Sequence, residues 1–298
     1  MTAHVSIELL GKLEGALHLI AVEHPYAYLT EKENENRLVQ VRISNPARLE
    51  KVAVCECDAG ARFKAVSGAI AYVAAEEGGL ELLDISSPGK PQKMGALVTP
   101  YPVCNVTLRG PLAFLTDLAS LRLFDVSNPR APTEVGVCNA LEEAGAITID
   151  GDHAYIAADY GMRVVTLANR SAPKEVAYLE VEGNAVKVAV AGNQAYIADA
   201  DAGGVHIVDV SQPDAPFRVG RFGDWIIRDV AVARNGRQVY LAGGTLDALD
   251  VSNPAAPVLA GRFRPGPGTD NGIWEIHLLN ELLFAAGGDT FFTFVLRQ

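Results

Sequence analysis

The chain lacks any apolar run near the ~20 residues that a membrane helix needs. Its longest apolar stretches are short and broken by Gly, Asp or Pro, so no membrane contact is expected. The opening "MTAHVSIELLGKLEG" has no basic segment followed by an apolar core and a small-residue cleavage site. It does not read as a signal peptide, and the expected compartment is the cytoplasm. A cluster of Lys and Arg is missing too. The formal net charge is −11, from 25 Lys+Arg against 36 Asp+Glu. Such a surface repels phosphate backbones, so nucleic acid is not an expected partner.

Cysteine is scarce. Of the four, Cys55 and Cys57 share one face of a strand but lack disulfide geometry, and free thiols are expected. The six histidines show no H-x-H or H-x-x-x-H spacing, so a zinc site is not indicated. "DADAGG" (199–204) offers oxygen ligands before a Gly turn, as calcium loops do, but the later Glu is missing. The chain has no G-x-S-x-G elbow, no P-loop and no G-x-G-x-x-G. No metal and no organic cofactor is expected. No window carries a convincing 3.6-residue apolar period, which removes helices from the expected fold.

What the chain has is one line written repeatedly. "LFDVSNPRAPTEVG" from Leu123, "VHIVDVSQPDAPFRVG" from Val205 and "LDVSNPAAPVLAG" from Leu249 are versions of it. The turn position of this line falls at Pro46, Pro88, Pro129, Arg170, Pro213 and Pro254, 41 to 43 residues apart. A second marker is an aromatic within an apolar triplet: Tyr28, Tyr72, Phe114, Tyr155, Tyr196, Tyr240 and Phe284, 41 to 44 apart. Each unit holds four short runs enriched in β-branched residues and separated by turn residues, the signature of strands. In the repeated line the third strand ends at Asp-Val-Ser, Asn opens a turn, and Pro fixes φ at its second position. A second Pro then starts the fourth strand. Asp84, Asp125, Asp209 and Asp250 recur at one place and are expected to accept turn amides rather than to catalyse.

Four-stranded units at this spacing predict an all-β, seven-bladed β-propeller. The last unit has three strands and stops at Gln298, while a spare strand, "HVSIELLG" (4–11), precedes the first unit. That spare strand is expected to complete the seventh blade. The blades then fall at about 16–57, 61–98, 103–139, 145–182, 185–223, 227–264 and 273–298, in one domain spanning 1–298.

"LELLDISSP", "LRLFDVSNP" and "VHIVDVSQP" resemble the LVIVD repeat of bacterial and archaeal propellers. The resemblance covers almost the whole chain. The fourth unit departs from it, with Thr166 for Asp and "ANRS" at the turn, and the first unit has Arg42 for Asp. The resemblance implies the fold and brings no agreed activity. Many relatives look secreted or surface-bound, which this N-terminus does not match. No Trp-Asp pair ends the third strands, so the chain does not resemble the WD40 class.

In a propeller the first strands line a channel, and ligands meet one loop face or the channel mouth. Seven positions before most aromatics stands a small residue (Ala21, Ala65, Thr107, Thr148, Ala189 and Ala231), but His277 in the last unit. Two residues earlier the row reads Leu19, Phe63, Asn105, Ala146, Lys187, Asp229 and Glu275; one further out it reads His18, Arg62, Cys104, Gly145, Val186, Arg228 and Trp274. The loops "FGDWIIRD" and "RPGPGTDNGIWE" add Asp224, Trp225, Asp270 and Asn271. Two functions follow. One is a propeller that binds a small molecule or protein at this face, with Arg228, Trp274, Trp225, His18, Arg62, Asn105 and Lys187 as ligand-binding residues. The other is a cofactor-independent lyase, hydrolase or cyclase with His277, Glu275 and Asp229 in acid–base roles. The structural alternative pairs Asp229 with Arg228 or Lys187, leaves Glu275 solvated, and packs both Trp residues between blades.

Overall fold

Seven first strands pack side by side in a closed circuit: Leu17–Glu23, Arg62–Ser67, Val103–Arg109, Ala144–Asp150, Ala185–Ala191, Ile227–Val232 and Glu275–Leu279, the last returning to the first. Each opens a four-stranded antiparallel sheet that radiates outward, giving seven blades. The computed structural model describes residues 5–15, 17–31, 34–57, 62–75, 78–87, 90–201, 203–266 and 272–297. His4, Ala16, Ala61, Pro88, Ala202, Asp270, Asn271 and Gln298, which enter the sequence reading, lie outside them. Among the described residues there is no helix.

Blades 1 to 6 span 17–56, 62–97, 103–139, 144–180, 185–222 and 227–263. Blade 7 takes three strands from Glu275–Leu279, Leu282–Gly287 and Thr290–Arg297, and its fourth from Ser6–Glu14 at the other end of the chain. Ser6 lies opposite Arg297 and Glu14 opposite Thr290. This closing strand runs three residues past Gly11, where a register shift after Leu9 interrupts the alternation that marks a strand in sequence.

The seven aromatic markers are all buried. Each joins an apolar cluster shared with the following blade: Tyr155 with Val188 and Ile197, Tyr196 with Ile227 and Leu241, Tyr240 with Leu283 and Phe292, and Phe284 with Leu29 and Val41. Tyr28, Tyr72 and Phe114 do the same for blades 2, 3 and 4. One blade's apolar face is therefore buried only by its neighbour, as in any repeat stack.

The repeated line is now explained atom by atom. Asp84, Asp125, Asp209 and Asp250 each accept the backbone N–H two residues on, at 2.8 to 2.9 Å. Bonding to Ser86, Ser127 and Ser211 holds the first three carboxyls below their ordinary pKa. Thr166 uses its hydroxyl for the same contact at 3.4 Å, so blade 4 keeps the turn without the Asp. Asn128, Asn169 and Asn253 then close a turn onto the third residue ahead at 3.0 to 3.1 Å.

The second residue of that turn presents its carbonyl to the preceding blade. The carbonyls of Pro129, Arg170 and Pro254 sit against the Cα of Gly95, Gly136 and Gly220, where any Cβ would collide with them. Those glycines occupy equivalent places in the fourth strands, at a register shift. Gly11, in the closing strand, receives Pro46 in the same way, and the Thr293 hydroxyl donates to the Pro46 carbonyl at 2.5 Å. The lock that joins blades inside the chain thus also joins its two ends.

Removing residues 1–14 takes away the fourth strand of blade 7, the Gly11 lock and the Val5 contact in the blade 6–7 core. The truncated chain is expected to melt at least ~10 °C below the intact one by circular dichroism, from a loss of several kcal/mol at ~2–4 °C each. Unchanged melting would show that this strand does not close the ring.

Candidate functional site

Strand pairing places Ala21, Ala65, Thr107, Thr148, Ala189, Ala231 and His277 directly opposite the aromatic markers in all seven blades. Above this row the first six blades carry a bulge. The unpaired residue is Ile20, Lys64, Cys104, Val186 or Arg228, with two, Gly145 and Ala146, in blade 4. A bulge takes one residue out of register and re-aims its neighbours. In blades 1 and 2 it falls two residues later than in blade 3, which corrects the row that runs through Leu19 and Phe63. Those two pair one step lower, and His18 and Arg62 take their place.

The result is a ring of polar side chains at one level of the channel mouth: His18, Arg62, Asn105, Lys187, Asp229 and Glu275, opposite Thr30, Ala74, Thr116, Ala198, Ala242 and Ala286. Two of its members clasp the next blade. Asp229 accepts from Val230 N at 2.8 Å and from Ile276 N of blade 7 at 2.9 Å. Glu275 accepts from Leu19 N of blade 1 at 2.8 Å, and its other oxygen lies 2.8 Å from His18 Nδ1. Thr107 and Thr148 make a comparable reach, each donating to a first-strand carbonyl of the following blade. Glu275 is therefore held rather than merely solvated.

Burial pushes the Asp229 carboxyl up, against the pull of Lys187, whose Nζ stands 3.7 Å away. His277 lies one level deeper, half-buried, and makes no side-chain hydrogen bond among the described residues. Burial lowers its pKa, and the Lys187 charge adds to that. On blade 2, Lys64 is pulled down by burial, although Glu35 opposes the shift, while Arg62 pairs with Glu35 at 3.2 Å. Asn105 makes no side-chain hydrogen bond among the described residues.

Arg228 belongs to a different place. As the bulged residue of blade 6 it leaves the ring, lies 5.8 Å from the Trp274 ring, and lines a cleft of about 700 Å³. The cleft opens between blades 5, 6 and 7 and is also walled by Asp201, Asp224, Trp225, Ile226 and Arg262. Trp225 packs edge-on to Phe222, with the Arg262 guanidinium 5.1 Å from its ring. Arg262 is forked onto buried Asp247 at 2.5 and 2.8 Å. Trp274 instead tilts against His18, ring centres 5.8 Å apart. The expected residues thus divide between ring and cleft, with Arg62 and Asn105 across the channel. Thr245 and Arg262 escaped sequence reasoning, and Asp201 entered it only within the 199–204 loop as a candidate oxygen ligand; the signal for Arg262 is the opposite charge at Asp247, legible only once the register sets them face to face. A smaller cleft of about 330 Å³ lies on the opposite face at blades 3 and 4, where Arg109 is bonded to the Gly151 carbonyl at 2.6 Å. Among the described residues no group of three His, Cys, Asp or Glu is placed to hold a metal, none of the four cysteines is in a disulfide, and no helix is long and apolar enough to cross a membrane.

The model of the LVIVD repeat matches residues 15–56, 61–99, 102–140, 143–179, 182–224 and 227–264. The chain belongs to the LVIVD-repeat family. The six matches are blades 1 to 6; blade 7 escapes because the Asp-Val-Ser-Asn-Pro turn is replaced there by the meeting of the two chain ends. Among solved structures, the C-terminal WD40 domain of Sif2 superposes with a TM-score of 0.68 at 11% identity, covering 98% of this chain and 99% of that one. At that identity the likeness is one of fold. No curated protein matches by sequence. Because 1314 solved chains match, the fold by itself selects no activity.

The state of His277 has a direct reading. Its folded pKa lies below the ordinary ~6.5. The unfolded chain then binds the proton more readily, so stability is present above that pH and declines as pH falls through it. The His277 imidazole is expected to titrate below pH ~6.5 by NMR, and His277→Gln is expected to flatten the loss of stability on acidification. Titration at or above the ordinary value would contradict the half-buried, Lys187-facing placement.

Proposed function

We propose that this propeller is a binding module that engages a protein or small molecule through its upper face, the face carrying the channel mouth. One observation carries the reading. The large apolar side chains exposed by loops are Val98, Tyr101, Leu118, Tyr160 and Ile226, all in connections at the upper face. The other exposed ones, Leu9, Tyr178, Phe217, Val258 and Leu259, lie on fourth strands at the rim. Among the described residues none stands on a lower loop. Apolar groups concentrated on one face and rimmed by polar residues mark interaction surfaces.

Acid–base chemistry at the mouth has less support. Glu275 would have to release His18 and Leu19 N, and Asp229 would have to release two amides, before either could serve His277. Binding needs less rearrangement: the ring offers Asn105, whose side chain makes no hydrogen bond among the described residues.

The test compares faces. Tagged protein is used to capture partners from extract of its own cells, followed by quantitative mass spectrometry. Leu118→Arg with Tyr160→Arg is expected to reduce capture at least about tenfold, the scale of a lost interface anchor. Arg130→Glu with Asp214→Lys on the lower face is expected to leave it unchanged. Loss with the lower pair alone, or equal capture by all three proteins, would overturn the assignment.

A further inference from the structure

The cleft between blades 5, 6 and 7 is lined by three exposed charges of both signs, Arg228, Asp201 and Asp224, that have no counter-charge within ion-pair distance among the described residues. Arg228 has no carboxylate within ion-pair distance and no hydrogen bond among the described residues; its contact is with the Trp274 ring. The Asp201 and Asp224 carboxylates likewise have no side-chain partner among the described residues. Arg262, by contrast, is spent. Asp247 takes two of its N–H groups, and the Thr245 hydroxyl holds the same carboxylate at 2.9 Å. Arg262 therefore serves as a neutralised wall over Trp225, and among the described residues that line the cleft Arg228 is the cation with no carboxylate partner.

The backbone fixes these groups in place. Buried Asp199 accepts from Asn184 N, Asp201 N and His206 Nε2, which sets the turn that carries Asp201. Gly204 N donates to the Trp225 carbonyl at 2.6 Å, tying that turn to the Asp224–Trp225 segment. Gly203 lies so close to Asp224 that a Cβ would collide with its carbonyl carbon. Between the charges, Trp225 and half-exposed Ile226 supply an apolar surface.

A simple anion would meet Arg228 but be repelled by two aspartates. A simple cation would meet the aspartates but be repelled by Arg228. A ligand with both charges and an apolar body satisfies all of them. The cleft volume falls within the ~300–1,000 Å³ that takes a drug-sized ligand, more than a single amino acid fills. We propose that the cleft binds a short zwitterionic peptide of two or three residues with an apolar side chain. Its carboxylate pairs with Arg228, its ammonium with Asp201 and Asp224, and its side chain lies on Trp225 and Ile226. The proposal rests on the upper face being the binding face and names a ligand for one part of it.

The test is calorimetric titration of the full chain with Leu-Phe, Leu-Phe-Ala, and the same peptides acetylated or amidated. Free peptides are expected to bind saturably, and either cap to weaken binding at least tenfold. Arg228→Ala is expected to abolish the discrimination against the amide, with Arg228→Lys partly restoring it. Asp201→Asn with Asp224→Asn is expected to abolish the discrimination against the acetyl cap. No saturable binding of any free peptide at millimolar concentration, or equal binding of free and capped forms, would overturn the proposal. Binding that survives both sets of substitutions would place the site elsewhere and overturn it equally. Such a failure leaves the face comparison intact: if Leu118→Arg with Tyr160→Arg still abolishes capture, the upper face stands and only the peptide assignment falls.

Discussion

A carbonyl resting on a bare Cα holds this ring together. Four of the repeated turns send the carbonyl of their second residue, Pro46, Pro129, Arg170 or Pro254, into the preceding blade, where a glycine in the fourth strand leaves room for it; blades 1 and 4 carry Ala53 and Ala177 at the equivalent place. Backbone against backbone is the tightest contact available between two sheets, and it fixes their separation and tilt. The aromatic markers can then pack between neighbouring blades at the same depth seven times over. The Asp and Asn of the turn matter because they shape the turn that delivers the carbonyl. Where Pro gives way to Arg170, the turn keeps its bond and the carbonyl still arrives. At the seam between blades 6 and 7, Gly261 receives Val5 instead, since blade 7 has no such turn.

The mouth of the channel is built by the same logic of reaching into the next blade. Asp229 and Glu275 hold first-strand amides of blades 7 and 1, across the two seams that flank the closing blade. Carboxylates committed to clasps are poor proton carriers, whereas Asn105 in the same row makes no side-chain hydrogen bond among the described residues. The bulge in blade 6 performs a separate service: it turns Arg228 out of the row and into the cleft beside Trp225.

The fold was legible because its determinants recur at a fixed spacing. The turn line recurs six times and the aromatic triplet seven, at one spacing, and an unpaired strand at one end answers a missing strand at the other. The turn aspartates were legible as amide acceptors for the same reason, and the structure finds them so. The site was legible only in part. His18 and Arg62 appear in sequence one step outside the row they join, because a bulge at Ile20 or Lys64 leaves no mark in an apolar run. The grip of Glu275 on Leu19 N links residues 256 positions apart, which no local pattern encodes. The cleft depends on Arg262 lying opposite Asp247, a fact of register rather than of composition.

The glycine lock is tested most directly by adding one methyl group. Gly136→Ala and Gly220→Ala place a Cβ against the carbonyls of Arg170 and Pro254. Gly244→Ala adds the same atom where nothing lies within 4 Å. Overpacking of this kind costs about 1–3 kcal/mol, so thermal unfolding of the first two should shift down by ~2–10 °C, with Gly244→Ala close to the parent. Equal melting of all three variants would show that the carbonyl-on-glycine contact does not hold the blades, and the account of the ring would fail with it.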